Sequence, residues 1–306
     1  MKDTETEGMT HRHGPSPEIR AQILAMGKNF SEEIITKTIR LYIPLHKKAT
    51  QGQAKITKDL EYGPDERHRL DIHEPITRPS HAVPMVAFFH GGGFISGDKN
   101  TVGNLIYGNA ANYFAKNGML GINATYRLAP RHQWPEGARD IAGVVEWLRM
   151  NGAQYGGDPN KIFLFGHSAG AAHVGTYVMH EELQPESGVG VAGAILMSGQ
   201  YNPNPENPGR FDRAYYGSDT ENYPKKAALH HIDGLKVPLF IIFGEFDPHD
   251  IEMQNVELIR ALCLRDKHCP RFTRIRNHNH ISEVMHMNTE DESIGPEILD
   301  FIETGR

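Results

Sequence analysis

A serine at position 168 stands where its type and neighbours suit covalent chemistry. It lies in IFLFGHSAGAAHVGTY (162–177), within Gly166-His167-Ser168-Ala169-Gly170. An apolar β-rich run precedes this G-x-S-x-G and a helical pattern follows, the context that defines a nucleophile elbow. A strand-to-helix turn this sharp strains the serine backbone, so its neighbours must be small. The turn would expose the Ser168 hydroxyl beside a helix N-terminus, whose dipole favours developing negative charge. A second stretch, FFHGGGFISGDK (88–99), also follows a strand pattern. Acyl transfer needs preorganised backbone N–H groups for its oxyanion, and glycines let the main chain approach the substrate. Gly91 and Gly92 would donate from this loop and Ala169 from the elbow.

A serine nucleophile needs an orienting acid and then a base, which follow it along the chain in that order. The acid falls in IIFGEFDPHD (241–250). Asp247 is preferred because it closes a strand at a turn and Pro248 starts the next helix, while Glu245 and Asp250 compete. Beyond one further strand, IRNHNHISEVMHM (275–287) offers His278, His280 and His286. On an extended chain His278 and His280 face the same side, which invites a metal reading. No acidic or thiol third ligand adjoins them in the sequence, and the serine already requires one histidine here as its base. No metal and no cofactor is therefore expected.

These residues need a scaffold that brings them to one edge. Strand patterns fall at 83–90, 119–126, 161–166, 191–199, 238–245 and 271–276, each nearly continuous in apolar residues, as strands buried on both faces should be. Helical patterns fall between and after them, at 103–117, 136–151, 169–183, 250–264 and 293–304. This alternation predicts an α/β fold with a mostly parallel central sheet and helices on both faces. Residues 61–75 read as an antiparallel lead-in pair turning at Gly63-Pro64. Two segments break the rhythm. Residues 1–55 look helical and peripheral, with an amphipathic helix capped by Ser31. Residues 200–235 are rich in Asn, Pro and Tyr, and a connection that long between core strands predicts a lid or binding loop. The whole of 1–306 reads as one domain carrying those two segments as its cap.

Composition narrows the function classes. The chain of 306 residues is 39% hydrophobic and 23% charged, with room for a large core. A formal charge of −6 and the absence of a Lys/Arg run argue against nucleic-acid binding. No apolar run reaches the roughly 18 residues of a membrane span. The polar N-terminus lacks a signal-peptide core, and Cys263 and Cys269 read as incidental thiols, so a cytoplasmic protein is expected.

Together HGGGF, TYRLAP (125–130), DPNKIFLFGHSAG (158–170), GEFDP and HNHIS resemble the α/β-hydrolase esterases that carry an HGGG motif. That group includes hormone-sensitive-lipase-like carboxylesterases and the related arylformamidases, and the resemblance runs over about 60–305. It implies an α/β-hydrolase fold and a serine hydrolase using Ser168, Asp247 and His280, with Gly91, Gly92 and Ala169 as the oxyanion hole. His280 is chosen over His278 because such enzymes follow the catalytic histidine with an apolar residue and often Ser or Asp, as in His280-Ile281-Ser282. The implied substrate is a small to medium carboxylic ester. The alternative is cleavage of an N-formyl aromatic amine, and His167 before the nucleophile, where hormone-sensitive-lipase-like members have Asp, points toward the bacterial esterase and arylformamidase branches. A homodimer is among the assemblies the resemblance allows. Ligand-binding proteins that kept this fold typically lose the histidine, and His280 is present.

Overall fold

A computed structural model of the chain describes residues 14–49, 54–102 and 105–306. Part of the expected N-terminal helical segment, residues 1–13, lies outside them, as does the start of the helix expected at 103–117. The strands are β1 (Ala54–Glu61), β2 (Arg69–Pro75), β3 (Val83–Phe89), β4 (Leu120–Ala124), β5 (Gly157–His167), β6 (Gly193–Met197), β7 (Leu239–Phe246) and β8 (Arg271–Asn279). They form one sheet in the order β1-β2-β4-β3-β5-β6-β7-β8. The β1–β2 and β2–β4 pairs are antiparallel, and every pair from β4–β3 to β7–β8 is parallel.

Alternation along each strand sends side chains to opposite faces, and both faces are filled. On β5, Ile162 and Leu164 join one buried cluster while Phe163 and Phe165 join the other. On β3, Met85, Ala87 and Phe89 divide from Val86 and Phe88 in the same way. Helices cover these faces. They are α1 (Pro17–Met26), α2 (Glu32–Ala49), α3 (Gly108–Lys116), α4 (Glu136–Asn151), α5 (Ala169–Met179), α6 (Arg210–Tyr216), α7 (Tyr223–Lys226), α8 (His249–Asp266), α9 (Ser282–Met285) and α10 (Gly295–Thr304). The Ser31 hydroxyl accepts from the Ile34 N–H at 3.4 Å, the contact expected of a cap on α2.

Three expectations need correction. β1 begins at Ala54 rather than near residue 61, because AKITKDLE pairs with β2 from Ala54↔Pro75 onward. β8 is an edge strand rather than a doubly buried one, with Phe272 49% exposed. Cys263 and Cys269 are joined in a disulfide, with Cα atoms 4.3 Å apart. The end of α8 and the turn after it bring the two sulfurs together across six positions. Among the described residues no helix is long and apolar enough to cross a membrane.

Candidate active site

The carboxyl ends of β3, β5, β6, β7 and β8 deliver the polar groups of the site to one edge of the sheet, where open α/β sheets place their ligands. Ser168 follows β5 directly and caps α5 with φ 54° and ψ −119°. A non-glycine residue in this region is strained, and the flanking glycines explain how the turn closes around it. A Cβ on Gly166 would stand 2.5 Å from the backbone of Ala171, and one on Gly170 would stand 2.2 Å from the Phe89 carbonyl oxygen. Neither position tolerates a side chain.

The expected partners converge on that serine. His280 Nε2 lies 3.0 Å from Ser168 Oγ, and His280 Nδ1 lies 2.7 Å from Asp247 Oδ1. Asp247 is fully buried. Its second oxygen accepts from the Ser198 hydroxyl at 2.6 Å and from the Gly244 N–H at 2.8 Å. The competing acids are placed elsewhere: Glu245 accepts from the Asn277 N–H at 2.8 Å, and Asp250 lies exposed in the first turn of α8. Such a chain, hydroxyl to imidazole to held carboxylate, can transfer a proton from the hydroxyl and stabilise the resulting imidazolium.

The serine opens into a cavity of about 330 Å³. Gly92, Gly93 and Ala169 line it beside Ser168 and His280, whereas Gly91 does not. Gly91 is buried behind them, where a Cβ would meet Ser168 Cβ at 3.2 Å. Gly92 has φ 138° and a Cβ there would lie 2.0 Å from the Ser96 carbonyl oxygen, so only glycine fits. The remaining wall is largely apolar, and both segments that break the strand–helix rhythm contribute to it beside Ile95, Tyr107, Ile251 and Ile281. Phe30, Glu32 and Ile35 come from the N-terminal segment, and Gln200, Arg210 and Phe211 from 200–235. Phe30 meets the His280 ring edge to face, with centroids 4.8 Å apart. Phe94 also lines the cavity, Tyr215 stacks behind Phe94 at 4.5 Å, and Tyr201 and Tyr216 are packed in the core.

Sequence reasoning missed Ser198, Phe30 and Glu283. Ser198 sits at the carboxyl end of β6, a position that could have flagged it. Phe30 and Glu283 carry no motif. Glu283 is fully buried, 3.8 Å from His280 Nδ1 and 3.4 Å from His167 Nε2. His167 in turn donates from Nε2 to the His280 carbonyl oxygen at 2.8 Å, bracing the loop that carries His280. Burial, and then the charge of Asp247, push the Glu283 carboxyl well above the usual range. Burial likewise holds His167 neutral, well below the usual histidine range.

Glu283 therefore keeps its proton in the folded chain at pH values where the unfolded chain, near about 4.3, has lost it. Its contribution to stability is complete below that value and disappears as pH rises through the raised folded pKa. Glu283→Gln keeps the shape and removes the titration. The variant's melting temperature should gain on the wild type as pH rises above about 4.3, by about 1.4 kcal/mol of stability per pH unit. Parallel melting curves across pH would show that Glu283 is ionised in the fold.

A family profile described as alpha/beta hydrolase fold matches residues 86–257, more than half of the chain. Esterase LipC of Mycobacterium tuberculosis is 31% identical over 109 residues, 36% of this chain and 26% of that protein. Carboxylesterase NlhH of the same organism is 34% identical over 96 residues, 31% of this chain and 28% of its own. A probable isoprenylcysteine alpha-carbonyl methylesterase of Oryza sativa is 33% identical over 139 residues, 45% of this chain and 31% of its own. The chain thus spans about a quarter to a third of the length of these relatives. Among solved structures, esterase B of Lactobacillus rhamnosis superposes with a TM-score of 0.70 at 20% identity, covering 94% of this chain and 96% of that one. An esterase of Pyrobaculum calidifontis gives 0.70 at 19% identity, covering 94% and 98%. At that identity the structures speak to the fold alone.

Proposed function

The chain belongs to the alpha/beta hydrolase fold family, and from that premise we propose that it is a serine carboxylesterase acting on small to medium esters through an acyl-enzyme. The observation that carries this reading is the contact chain from Ser168 through His280 to Asp247, at 3.0 and 2.7 Å, opening into an apolar cavity lined by backbone of Gly92, Gly93 and Ala169. Esterase and carboxylesterase relatives in the sequence comparison support it.

In the proposed mechanism His280 takes the Ser168 proton as Oγ attacks the ester carbonyl. Asp247, held by Ser198 and Gly244, keeps the His280 Nδ1 proton in place and stabilises the imidazolium. Backbone N–H groups at Gly92, Gly93 and Ala169 receive the oxyanion, a contribution worth roughly 3–4 kcal/mol per donor in comparable sites. Gly91, expected to donate, acts here by letting the loop pack against Ser168. His280 then protonates the leaving alcohol and activates water against the acyl-enzyme. The stretches that carry Phe30, Glu32 and Ile35 and those that carry Gln200, Arg210 and Phe211 act as the cap, since these side chains close the cavity wall.

A cavity of about 330 Å³ sits at the small end of ligand sites. Turnover of p-nitrophenyl esters from acetyl to dodecanoyl should peak among the short to medium chains and fall for the longest. N-formylkynurenine is the control. If it turns over faster than every ester in the series, the carboxylesterase reading fails.

A further inference from the structure

Beside the loop that carries His280, three buried side chains bring possible ligand atoms together. His278, His286 and Asp291 each place one ligand atom within 4.8 Å of the others. The two rings are fully buried and Asp291 is 8% exposed. None of the three belongs to the machinery proposed above.

The hydrogen bonds around them fix which atoms face inward. His286 Nδ1 lies 3.2 Å from the Ser282 carbonyl oxygen. A carbonyl only accepts, so the ring carries its proton on Nδ1 and leaves a lone pair on Nε2. His278 Nδ1 lies 3.2 Å from Ser282 Oγ. That hydroxyl has the Asn279 carbonyl oxygen, at 3.3 Å, as an outlet for its own proton, so it can accept from Nδ1. His278 then also presents a lone pair at Nε2, which lies 3.3 Å from Asp291 Oδ2. The other oxygen of Asp291 is held by the Ser293 hydroxyl at 2.5 Å and the Ser293 N–H at 3.0 Å. Among the described residues both Nε2 atoms and Asp291 Oδ2 are buried without a hydrogen-bond partner.

Three inward lone pairs in a dry site repel one another unless a cation lies between them. We propose that His278, His286 and Asp291 bind a late first-row divalent cation of the Zn²⁺ class, as a structural site distinct from the catalytic serine. Two imidazoles and one carboxylate suit such ions better than Ca²⁺ or Mg²⁺, which take oxygen ligands. The 3.3 Å between His278 Nε2 and Asp291 Oδ2 exceeds the roughly 2.7–2.9 Å of a charge-assisted hydrogen bond. It matches the separation of about 3.3 Å between two donors on arms of about 2.0 Å at the tetrahedral angle. Each ligand also has the outer hydrogen bond that orients metal-binding histidines and carboxylates. The ion would tie the end of β8 to the turn after α9, and so hold the loop that carries His280.

The test uses the full chain purified from Zn²⁺-supplemented cells. Metal analysis should find about one Zn²⁺ per chain, and a strong chelator should lower the melting temperature until Zn²⁺ is restored. His286→Gln and Asp291→Asn should lose the metal. His180→Ala, which breaks the more exposed His180, Glu182 and His231 cluster, should keep it. Should the two site variants fail to fold, Co²⁺ substitution of the wild type should give the intense visible bands of a low-symmetry site. A chain that holds no metal and melts identically with chelator and with Zn²⁺ overturns the proposal. So does metal that survives in His286→Gln and Asp291→Asn, or wild-type Co²⁺ spectra of a fully hydrated ion.

Discussion

Ser168→Ala should lower ester turnover by at least about 10,000-fold while leaving the melting temperature close to that of the wild type. The serine side chain is partly exposed at the cavity, and its hydroxyl lies within hydrogen-bonding distance of His280 Nε2. Alanine removes that hydroxyl and no packing. The strained turn stays in place because Gly166 and Gly170, which admit no Cβ, are untouched. What remains is the cavity and the backbone donors, which bind and polarise an ester but form no acyl-enzyme. His280→Ala should cost about as much, and the double variant little more, because the two groups act as a unit. Purified Ser168→Ala that still turns over esters at near the wild-type rate would remove the serine from the mechanism. Failure of a fluorophosphonate probe to label Ser168 in the wild type would do the same.

The second large effect is on acid stability, and it comes from histidines buried neutral. Burial pushes His90 down to about 4, His173 to about 3 and His46 to about 4, and holds His167 well below its usual range. His90 stacks on Tyr126 at 4.4 Å, and His173 sits among the rings of Phe94, Tyr126 and Tyr215. A proton on any of them would be an ion without water. Their folded pKa values are depressed, so the stability they contribute is complete above the unfolded value of about 6.5. It is lost as pH falls toward the folded values. Glu283 works in the opposite sense, so these four rings and Glu283, taken as a set, account for about three net protons taken up on unfolding between pH 6 and 5. The slope is about 4 kcal/mol per pH unit at its steepest, against a total stability on the order of 5–15 kcal/mol. The melting temperature should therefore fall steeply between about pH 6.5 and 5, above the range where carboxylates such as Asp140 and Asp291 protonate. His173→Phe, if it folds, should flatten that slope. A melting temperature constant over the same range would mean that these rings are charged or hydrated in the fold.

Both effects trace back to features with very different visibility in the sequence. The alternation of apolar runs and helical periods is local, so it marked β3 to β7 and the helices between them, with α4 matching at both ends. The G-x-S-x-G turn and the glycines of HGGG were legible because a backbone that must approach another backbone leaves glycine no substitute. Asp247 was legible from strand-end position and chain order. His280 needed the resemblance, since spacing alone did not separate it from His278.

What folding alone decided lies where side chains from distant segments meet. No pattern announces that Phe30 covers the His280 ring, that Ser198 holds Asp247, or that Glu283 keeps a proton behind them. Asp291 lies five positions beyond His286, out of register with any ligand motif, and joins the histidines only because the chain turns after α9. Local propensity and the demand for glycine act over a few neighbouring residues and are written in order along the chain. Burial, which sets the protonation of Glu283 and His173 and leaves three acceptors facing one another, depends on everything packed around a group and exists only in the folded protein.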